Sequence, residues 1–397
     1  MSNLKNKVYQ KYCTGCGLCH SVIGTQFRKD EKGFLFPVVD EHDNSFFDSF
    51  CFVGECCANK QIDSLKYNIW GKNLSSYLGY SADETIRNKS SSGGVLTGLA
   101  LYLLENNLVD GVIQTCVGKT PIETSTVISK TREDVLNCCG SRYSISMPLY
   151  DLKNIVKSGE KYAFVGKPCD VATLSLYLKE NNDLVYSIPY LLSFFCAGCP
   201  SQKANEKLLS ELGLSISDCQ SLNYRGNGWP GKVHAVDTNG SSREMSYEKS
   251  WGAILGRDIR PICRFCLDGV GIFADVSCGD AWYTNSDGAP DFSEHDGRNI
   301  IFSRTKKGEE LVRNAARKGY IRIEFANDYV NSLQEIQKYQ YERKISMYSM
   351  LLAMKIFRKE TPYYSMRSLK KISDVSSIKL KLKRFIGMCL RIVKKKI

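Results

Sequence analysis

The fold is decided by residues 162–180, which read YAFVGKPCDVATLSLYLKE. The apolar run 162–165 predicts a buried strand, and the run 171–180 predicts a helix. The turn between them, Gly166-Lys167-Pro168-Cys169-Asp170, therefore follows the carboxyl end of a strand, where open α/β sheets bind ligands. Cys169 is a candidate ligand at this edge, although a lone cysteine is more often a small buried side chain.

The alternation of strands and helices extends to both sides of this stretch. We predict strands over 77–80, 109–117, 184–195, 232–237 and 299–302, and helices over 95–104, 149–157, 201–212 and 306–318. Strands that alternate with helices form largely parallel sheets. The sequence thus predicts an α/β (α+β) core with a mixed, largely parallel sheet.

Three cysteines near the start, Cys13, Cys16 and Cys19, stand in the run Cys-Thr-Gly-Cys-Gly-Leu-Cys. Two-residue spacers that contain glycine let three thiolates converge on one iron–sulfur cluster. The fourth position of the bacterial ferredoxin spacing is Ile23, so a fourth ligand must come from elsewhere. We predict that a small ferredoxin-like iron–sulfur module with one 4Fe–4S cluster precedes the α/β core.

Candidates for the fourth ligand are Cys51, which we favour, and then Cys56 and Cys57. A structural zinc site could use the same thiolates, because tetrahedral sulfur sites also suit zinc. Zinc ligands usually come as separated pairs, so three cysteines in seven residues favour a cluster.

Further cysteines stand as two pairs, Cys196 with Cys199 and Cys263 with Cys266. Two such pairs would satisfy zinc, and their spacing indicates zinc and a second cluster about equally. Cys278 is a further candidate ligand, but a cysteine inside a strand usually serves packing.

The segment Ser91-Ser92-Gly93-Gly94 opens into the apolar helix predicted from residue 95. Small residues before a helix let backbone N–H groups and the helix dipole approach an anionic phosphate. The segment could therefore cradle the pyrophosphate of a flavin. An ordinary serine cap followed by a glycine turn explains it about as well.

The 397 residues suggest two or three domains, and a hydrophobic content of 43% is ordinary for a globular protein. Residues 1–12 hold no apolar signal-peptide core, and no apolar run reaches the length of a membrane span. We therefore expect a cytoplasmic protein whose 17 cysteines serve metal binding and not disulfides.

The net charge of +12 arises largely beyond Lys338, in segments such as 355–359 and 394–396. No recognition motif accompanies this charge, so we expect no nucleic-acid partner. In the tail, apolar residues recur at helical spacing among lysines and arginines; they are Leu382, Phe385, Ile386, Cys389 and Val393. Such a basic amphipathic helix can lie on an anionic membrane or pack against the body of the protein.

Several motifs in a fixed order resemble the coenzyme F420 hydrogenase/dehydrogenase beta-subunit family over most of residues 10–335. They are Cys13 to Cys19, Ser91-Ser92-Gly93-Gly94, Gly140-Ser141-Arg142-Tyr143, Gly166-Lys167-Pro168-Cys169, Phe195-Cys196-Ala197-Gly198, Cys263-Arg264-Phe265-Cys266, and the segment from Ala274 to Trp282. The resemblance implies bound FAD and one or more 4Fe–4S clusters.

The family's functional residues carry over to matching positions of this sequence. Around the flavin the resemblance places Ser91, Ser92, Gly93, Gly94, Gly140, Ser141, Arg142 and Tyr143. It assigns a second cluster to Cys169, Cys196, Cys263 and Cys266, which leaves Cys199 and Cys278 as spare thiols or alternative ligands. Arg142 is a bidentate partner for the flavin phosphate, and Asp280 is a weak candidate for proton relay that more often would cap a turn.

The resemblance divides the chain into four parts: a ferredoxin-like module 1–62, a flavin-binding part 63–185, a C-terminal beta-subunit part 186–335 and a basic helical tail 336–397. It implies an oxidoreductase that passes electrons between its clusters, FAD and a ferredoxin or deazaflavin carrier or an organic substrate. Chains with this tail resemble proteins of surface-polysaccharide synthesis. The alternatives are an electron-transfer subunit that feeds a partner enzyme and a non-catalytic zinc-stabilised binding protein.

Overall fold

The structure is a computed structural model that describes residues 2–286 and 290–394. Its strands are β1 Phe27–Lys29, β2 Leu35–Pro37, β3 Ser75–Ser81, β4 Gly111–Val117, β5 Thr124–Ser129, β6 Tyr162–Gly166, β7 Tyr190–Phe194, β8 Cys219–Asn223, β9 Val233–Asp237, β10 Ser242–Met245, β11 Val276–Asp280, β12 Asn299–Ser303 and β13 Ile321–Phe325. Its α-helices are α1 Ser2–Tyr12, α2 Leu18–Ile23, α3 Asn44–Phe50, α4 Glu55–Tyr67, α5 Glu84–Lys89, α6 Val95–Glu105, α7 Arg132–Asn137, α8 Leu152–Val156, α9 Pro168–Glu180, α10 Asn182–Ser187, α11 Gln202–Glu211, α12 Lys306–Arg317, α13 Asn327–Asn331, α14 Leu333–Ile336, α15 Lys338–Ile345, α16 Met347–Ile356, α17 Met366–Ile372 and α18 Ile378–Val393.

Eight strands form one mixed sheet in the order β13-β3-β12-β11-β7-β6-β4-β5. The four central strands, β11, β7, β6 and β4, run parallel to one another, and the flanking pairs are antiparallel. The predicted α/β core with a mixed sheet is confirmed. Smaller antiparallel sheets join β1 with β2 and β8 with β9 and β10.

Alternating side chains of the central strands pack on opposite faces of the sheet, as the period of two residues requires. Val112 and Leu192 contact one apolar core with α6 and α12. Their neighbours Ile113 and Leu191 contact another core with α9. Helices therefore cover both faces of the central sheet, the arrangement that parallel strands need.

The N-terminal module and the tail share a third apolar core. Tyr12 from α1, Phe47 from α3, Phe265, Leu351 from α16 and Met388 from α18 all belong to it. The predicted boundaries at 62, 185 and 335 fall inside α4, α10 and α14, so the division into four parts stays a prediction. Residues 395–397 of the basic tail, including part of the predicted 394–396 segment, lie outside the described residues.

One predicted strand is wrong at its start. We predicted a strand over 184–195, but residues 182–187 form α10 and the strand β7 begins at Tyr190. The polar pair Asn182-Asp183 begins the helix, and Tyr186 is 77% exposed, so this segment does not enter the sheet. In the described part of the chain, no helix is long and apolar enough to cross a membrane.

Candidate functional site

The central strands end at one edge of the sheet, and a cavity of about 300 Å³ lies there. Gly166 ends β6, Phe194 ends β7 and Asp280 ends β11, and all three residues line the cavity. This volume is at the small end of the range for ligand pockets. A second cavity of about 510 Å³ shares Arg225 with the first.

The segment 90–94 forms one wall of this cavity and leads into α6. The Ser81 N–H donates to the Gly93 carbonyl at 2.6 Å, and the Ser92 hydroxyl donates to the Arg298 carbonyl at 2.9 Å, which ties the segment to the sheet edge. Ser91, Ser92 and Gly94 line the cavity, but Gly93 does not. A Cβ on Gly93 would lie 2.8 Å from Arg298 Cα, so this glycine is required for packing.

The start of α6 is suited to an anionic ligand. Its N-cap residue, Gly94, has no side chain to occupy the helix N-terminus, which lines the cavity at Val95, Leu96 and Thr97. Asn299 Oδ1 accepts a hydrogen bond from the Val95 N–H at 3.3 Å.

The segment 140–143 forms the opposite side of the entrance, and all four of its residues line the cavity. The Ser141 N–H donates to the Ser91 hydroxyl at 2.6 Å, which joins the two predicted flavin segments. Arg142 donates to the Leu222 carbonyl at 3.0 Å, so part of its guanidinium is already engaged. The Tyr143 ring contacts the Trp251 ring, with centroids 4.8 Å apart.

A buried ion pair, which the sequence did not reveal, lies on the cavity floor. Arg225 donates to both Asp280 oxygens at 3.0 and 2.9 Å, and Trp229 Nε1 donates to the same carboxylate at 2.8 Å. The guanidinium also stacks on Tyr247 and Trp282, 4.7 and 5.3 Å from their ring centres. Burial alone would lower the pKa of Arg225, but Asp280 more than offsets this effect and raises it. Asp280 is therefore an anchor for Arg225, and its role in proton relay stays a prediction.

Lys167 adds a further positive charge to the cavity wall. Its ammonium lies 2.7 Å from Asp170 and donates to the Ser146 hydroxyl at 2.6 Å. Asp170 balances the charge of Lys167 as Asp280 balances that of Arg225. Arg142, which forms no ion pair among the described residues, is the cation that can attract an anionic ligand into the cavity.

The structure brings together the four cysteines that the resemblance assigns to a second cluster. We call Cys169, Cys196, Cys263 and Cys266 the second cysteine set. Cys169 is the second residue of α9, Cys196 follows β7, and Cys263 lies in the short 3-10 helix Pro261–Phe265, which Cys266 follows. Desolvation and the neighbouring thiols raise the pKa of Cys196, and they raise that of Cys263 to about 12. Cys196 also lines the cavity, so the set and the cavity are adjacent.

Cys13 and Cys16 lie in the loop between α1 and α2, Cys19 is the second residue of α2, and Cys51 is beside them. We call Cys13, Cys16, Cys19 and Cys51 the first cysteine set. Gly15 and Gly17 have φ of +77° and +90°, so glycine lets the loop fold back on itself. Burial is the main reason why the pKa of Cys51 lies well above its usual range, and the Cys13 and Cys16 thiols raise it further.

The remaining candidate ligands are not members of either set. Gln61 donates to the Cys57 sulfur at 3.5 Å, and burial, Asp268 and the neighbouring Cys56 raise the pKa of Cys57. The Cys199 N–H donates to Cys263 Sγ at 3.4 Å, which places this residue next to the second set. Cys278 is buried in β11 among apolar residues, and it also lines the cavity. Among the described residues, no three His, Cys, Asp or Glu side chains converge as a single metal ion would require.

The tail contributes to the site, which the sequence did not reveal. From α15, Gln340 donates to the Cys196 carbonyl at 2.7 Å and Arg343 donates to the Cys263 carbonyl at 3.2 Å. Gln337 and Gln340 also line the cavity. Gln340 and Arg343 are three residues apart, so they lie on the same side of α15. This spacing is the feature of the sequence that could have predicted that they act together.

Two family models match consecutive parts of the chain. Residues 76–153 match the N-terminal model of the coenzyme F420 hydrogenase/dehydrogenase beta subunit, and residues 159–328 match its C-terminal model. The chain belongs to the coenzyme F420 hydrogenase/dehydrogenase beta-subunit family. The Cys13–Cys19 loop, Cys51 and the tail beyond residue 328 lie outside the matched segments of this family member.

Relatives of this family member are subunits of oxidoreductases. It is 26% identical to the coenzyme F420 hydrogenase subunit beta of Methanosarcina barkeri, over 69% of its own length and 90% of the relative. It is 24% identical to the F420-dependent formate dehydrogenase 1 subunit beta of Methanococcus maripaludis, over 63% and 62%. A chain of the F420-reducing NiFe hydrogenase complex from Methanosarcina barkeri superposes with a TM-score of 0.59 at 25% identity, covering 75% of this chain and 99% of that one. These likenesses support an oxidoreductase role in electron transfer.

Replacing Asp280 by Asn tests the buried ion pair. The Arg225 side chain is only 4% exposed, so the loss of its carboxylate should lower the free energy of unfolding by about 3 kcal/mol. Chemical denaturation followed by circular dichroism measures the change. Asp63→Asn is the control, because its pair with Lys66 is 64% exposed on the aspartate side and its loss should leave the midpoint unchanged. Equal midpoints for both variants would show that the Arg225–Asp280 pair carries no stability.

Proposed function

We propose that the chain is an iron–sulfur flavoprotein oxidoreductase that passes electrons between two 4Fe–4S clusters, FAD and a soluble carrier or organic substrate. One observation carries this proposal: the two predicted flavin segments and Cys196 of the second cysteine set line the same cavity. A flavin exchanges electron pairs and a cluster exchanges single electrons, so their proximity lets a protein convert between the two modes.

The cavity residues fit an anionic flavin. The N-terminus of α6 and the Arg142 guanidinium would hold the phosphates. An extended dinucleotide needs more room than the first cavity alone, and the second cavity beyond Arg225 offers it. Ser91, Ser92, Gly140 and Ser141 supply small polar walls, and the Tyr143 and Trp251 rings supply an aromatic wall.

The two cysteine sets fit clusters. Each holds four desolvated thiols that influence one another electrostatically, and four thiolates are the donor set of a 4Fe–4S cluster. A cubane spreads its four thiolates over four iron atoms and so holds them farther apart than one zinc ion does. In the first set we propose Cys51 as the fourth ligand. Cys199 lies close enough to the second set to replace one of its members.

Anaerobic purification with iron, sulfide, zinc and flavin quantified on one sample tests the proposal. We expect brown protein with about eight iron atoms and one FAD per chain. Cys51→Ser and Cys266→Ser should each remove about half of the iron, because each variant lacks one ligand of one cluster. Cys57→Ser is the matched control, since this buried thiol belongs to neither set, and it should keep all the iron.

Other contents would contradict parts of the proposal. About four iron atoms without flavin would favour a simple electron carrier. Zinc in colourless protein would support the zinc-stabilised binding protein and overturn the redox function. If Cys51→Ser kept all its iron and Cys56→Ser or Cys57→Ser lost iron, the fourth ligand would be Cys56 or Cys57 and not Cys51.

The carrier is proposed as a deazaflavin or a ferredoxin. The relatives' names refer to coenzyme F420, a deazaflavin, and this supports the first choice. Anaerobic stopped-flow mixing with reduced F420 should then bleach the flavin absorbance within the turnover time. Bleaching by reduced ferredoxin alone would remove the deazaflavin choice and leave the ferredoxin choice standing.

A subunit that feeds a partner enzyme is the second candidate function. The relatives are named as subunits, and one solved likeness comes from a hydrogenase complex, which favours this candidate. Absence of turnover in every assay without a partner would distinguish it from a self-sufficient enzyme. The link to surface-polysaccharide synthesis rests on the resemblance of the tail alone, and the organic substrate is unassigned.

We further propose that this protein is cytoplasmic and that its helix α18 contacts the anionic inner face of the membrane. One apolar side of α18 packs against the body of the protein; it consists of Phe385, Met388, Cys389 and Ile392. Two residues of the predicted amphipathic face, Phe385 and Cys389, therefore face the body. A second apolar stripe points to solvent at four-residue spacing; it consists of Ile378, Leu382, Ile386 and Leu390, each more than half exposed. Lys379 and Lys383 are exposed beside the stripe, which matches an anionic lipid surface.

Co-sedimentation of the full chain with phosphatidylcholine vesicles, with and without phosphatidylserine, tests the membrane contact. The wild type should sediment only with anionic vesicles and be released by salt. Leu382→Glu/Ile386→Glu should weaken binding about tenfold or more, since two apolar side chains no longer enter the lipid. Val185→Glu, at a 40% exposed apolar position on α10, should leave binding unchanged. Equal sedimentation of all variants would contradict the proposal. So would a wild-type dimer that the double variant no longer forms, because the exposed stripe would then be a contact between two copies of the chain.

A further inference from the structure

The side chain of Arg260 spans the space between the two cysteine sets. Its backbone belongs to the second set's surroundings: the Arg260 N–H donates to the Cys199 carbonyl at 2.8 Å, and its carbonyl accepts from the Cys263 N–H at 2.9 Å. Its guanidinium reaches the first set, where Nη1 donates to the Cys13 carbonyl at 3.1 Å and to the Leu35 carbonyl at 3.0 Å.

The surroundings of Arg260 are built to hold a guanidinium. The residue is 1% exposed, and its Cζ lies 4.8 Å from the Phe34 ring centre and 5.1 Å from that of Phe36. A Cβ on Gly15 would lie 2.8 Å from Arg260 Nη2, so the Cys13–Cys19 loop is shaped around this side chain. Aromatic faces attract cations, and Arg is the residue that uses them most often.

In the part of the chain that the structure describes, no carboxylate forms an ion pair with Arg260. Its Nε and Nη2 atoms are buried and have no hydrogen-bond partner among the described residues. Asp170 interacts with it electrostatically, but the Asp170 carboxylate pairs with Lys167 at 2.7 Å. Burying an unpaired cation is strongly unfavourable, so a stable fold needs a negative group at this position.

Arg260 contacts both cysteine sets directly. Its guanidinium donates to the Cys13 carbonyl of the first set, and its own carbonyl accepts from the Cys263 N–H of the second set. A 4Fe–4S cluster with four thiolates is an anion that gains a further negative charge on reduction. The two sets would therefore supply the missing negative charge on both sides of the guanidinium.

We propose that Arg260 is a shared counterion of the two clusters that raises their reduction potentials. This inference rests on the proposed function, because it requires clusters in both sets. A fixed positive charge favours the more negative, reduced form of each cluster, as it favours the ionised form of an acid. Arg260 is thus a positioning residue that makes each cluster a better electron acceptor.

Redox titration of the purified, iron-loaded chain, followed by optical and electron paramagnetic resonance spectra, tests this role. Arg260→Gln should shift the reduction equilibrium of the first cluster at least tenfold toward the oxidised form, which is about 59 mV more negative for one electron. The second cluster should shift in the same direction. Arg260→Lys keeps the charge and should stay closer to the wild type. Arg304→Gln is the matched control, because Arg304 is a buried guanidinium that donates to the Trp70 and Val270 carbonyls and to no residue of either cysteine set.

Each outcome decides a separate point. Wild-type protein without iron would refute the proposed function and leave no cluster for Arg260 to serve. Iron-loaded Arg260→Gln with unchanged potentials, or an equal shift in Arg304→Gln, would overturn the role of Arg260. If Arg260→Gln loses its iron, Arg260→Lys decides: iron restored with potentials near the wild type supports the role of the charge, and iron not restored overturns it.

Discussion

The structure depends on burying two cations, Arg260 and Arg343, beside two groups of desolvated thiols inside one folded chain. Charged groups are buried at a large cost unless they meet opposite charge and hydrogen bonds. Arg260 lies between the sets, and Arg343 reaches the second set from α15. Burial alone would lower the pKa of Arg343, but Cys266, Tyr339 and two other cysteines of the second set together more than offset this and raise it. The cysteines and the cations come from segments far apart in sequence, so the charge balance joins the N-terminal module, the sheet and the tail.

The parallel centre of the sheet explains where the cavity lies. Because β6, β7 and β11 run in one direction, the turns that carry Cys169, Cys196 and Asp280 leave the sheet at a single edge. The antiparallel strand β12 begins at this edge, and its first residue, Asn299, bonds both Ser92 and the start of α6. The shared direction of these strands therefore places the second cysteine set, the N-terminus of α6 and the Arg225–Asp280 ion pair around one cavity.

The sequence predicted those parts of the fold that have a local signal. The apolar runs before and after Cys169 predicted β6 and α9, and the spacing of Cys13, Cys16 and Cys19 predicted a loop that gathers thiols. The parts that it missed depend on partners distant in the chain. Arg225 and Asp280 are 55 residues apart and meet only when β11 is in the sheet, and no single-residue pattern announces such a pair. The segment 184–189 misled the prediction because apolar residues also occur on short exposed helices.

The segments outside the family match are not separate appendages. The Cys13–Cys19 loop, Cys51 and the tail lie beyond residues 76–153 and 159–328, yet α1, α3, α16 and α18 pack with Phe265 of the family segment in one apolar core. A surface that buries residues such as Tyr12 and Leu351 completely cannot open without exposing them to water. The first cysteine set is therefore held at a fixed place beside the second, as the proposed electron exchange between two clusters would require. The same packing turns Phe385 and Met388 of α18 inward and leaves Leu382 and Ile386 outward, so one helix both closes the core and presents an apolar, basic face to its surroundings.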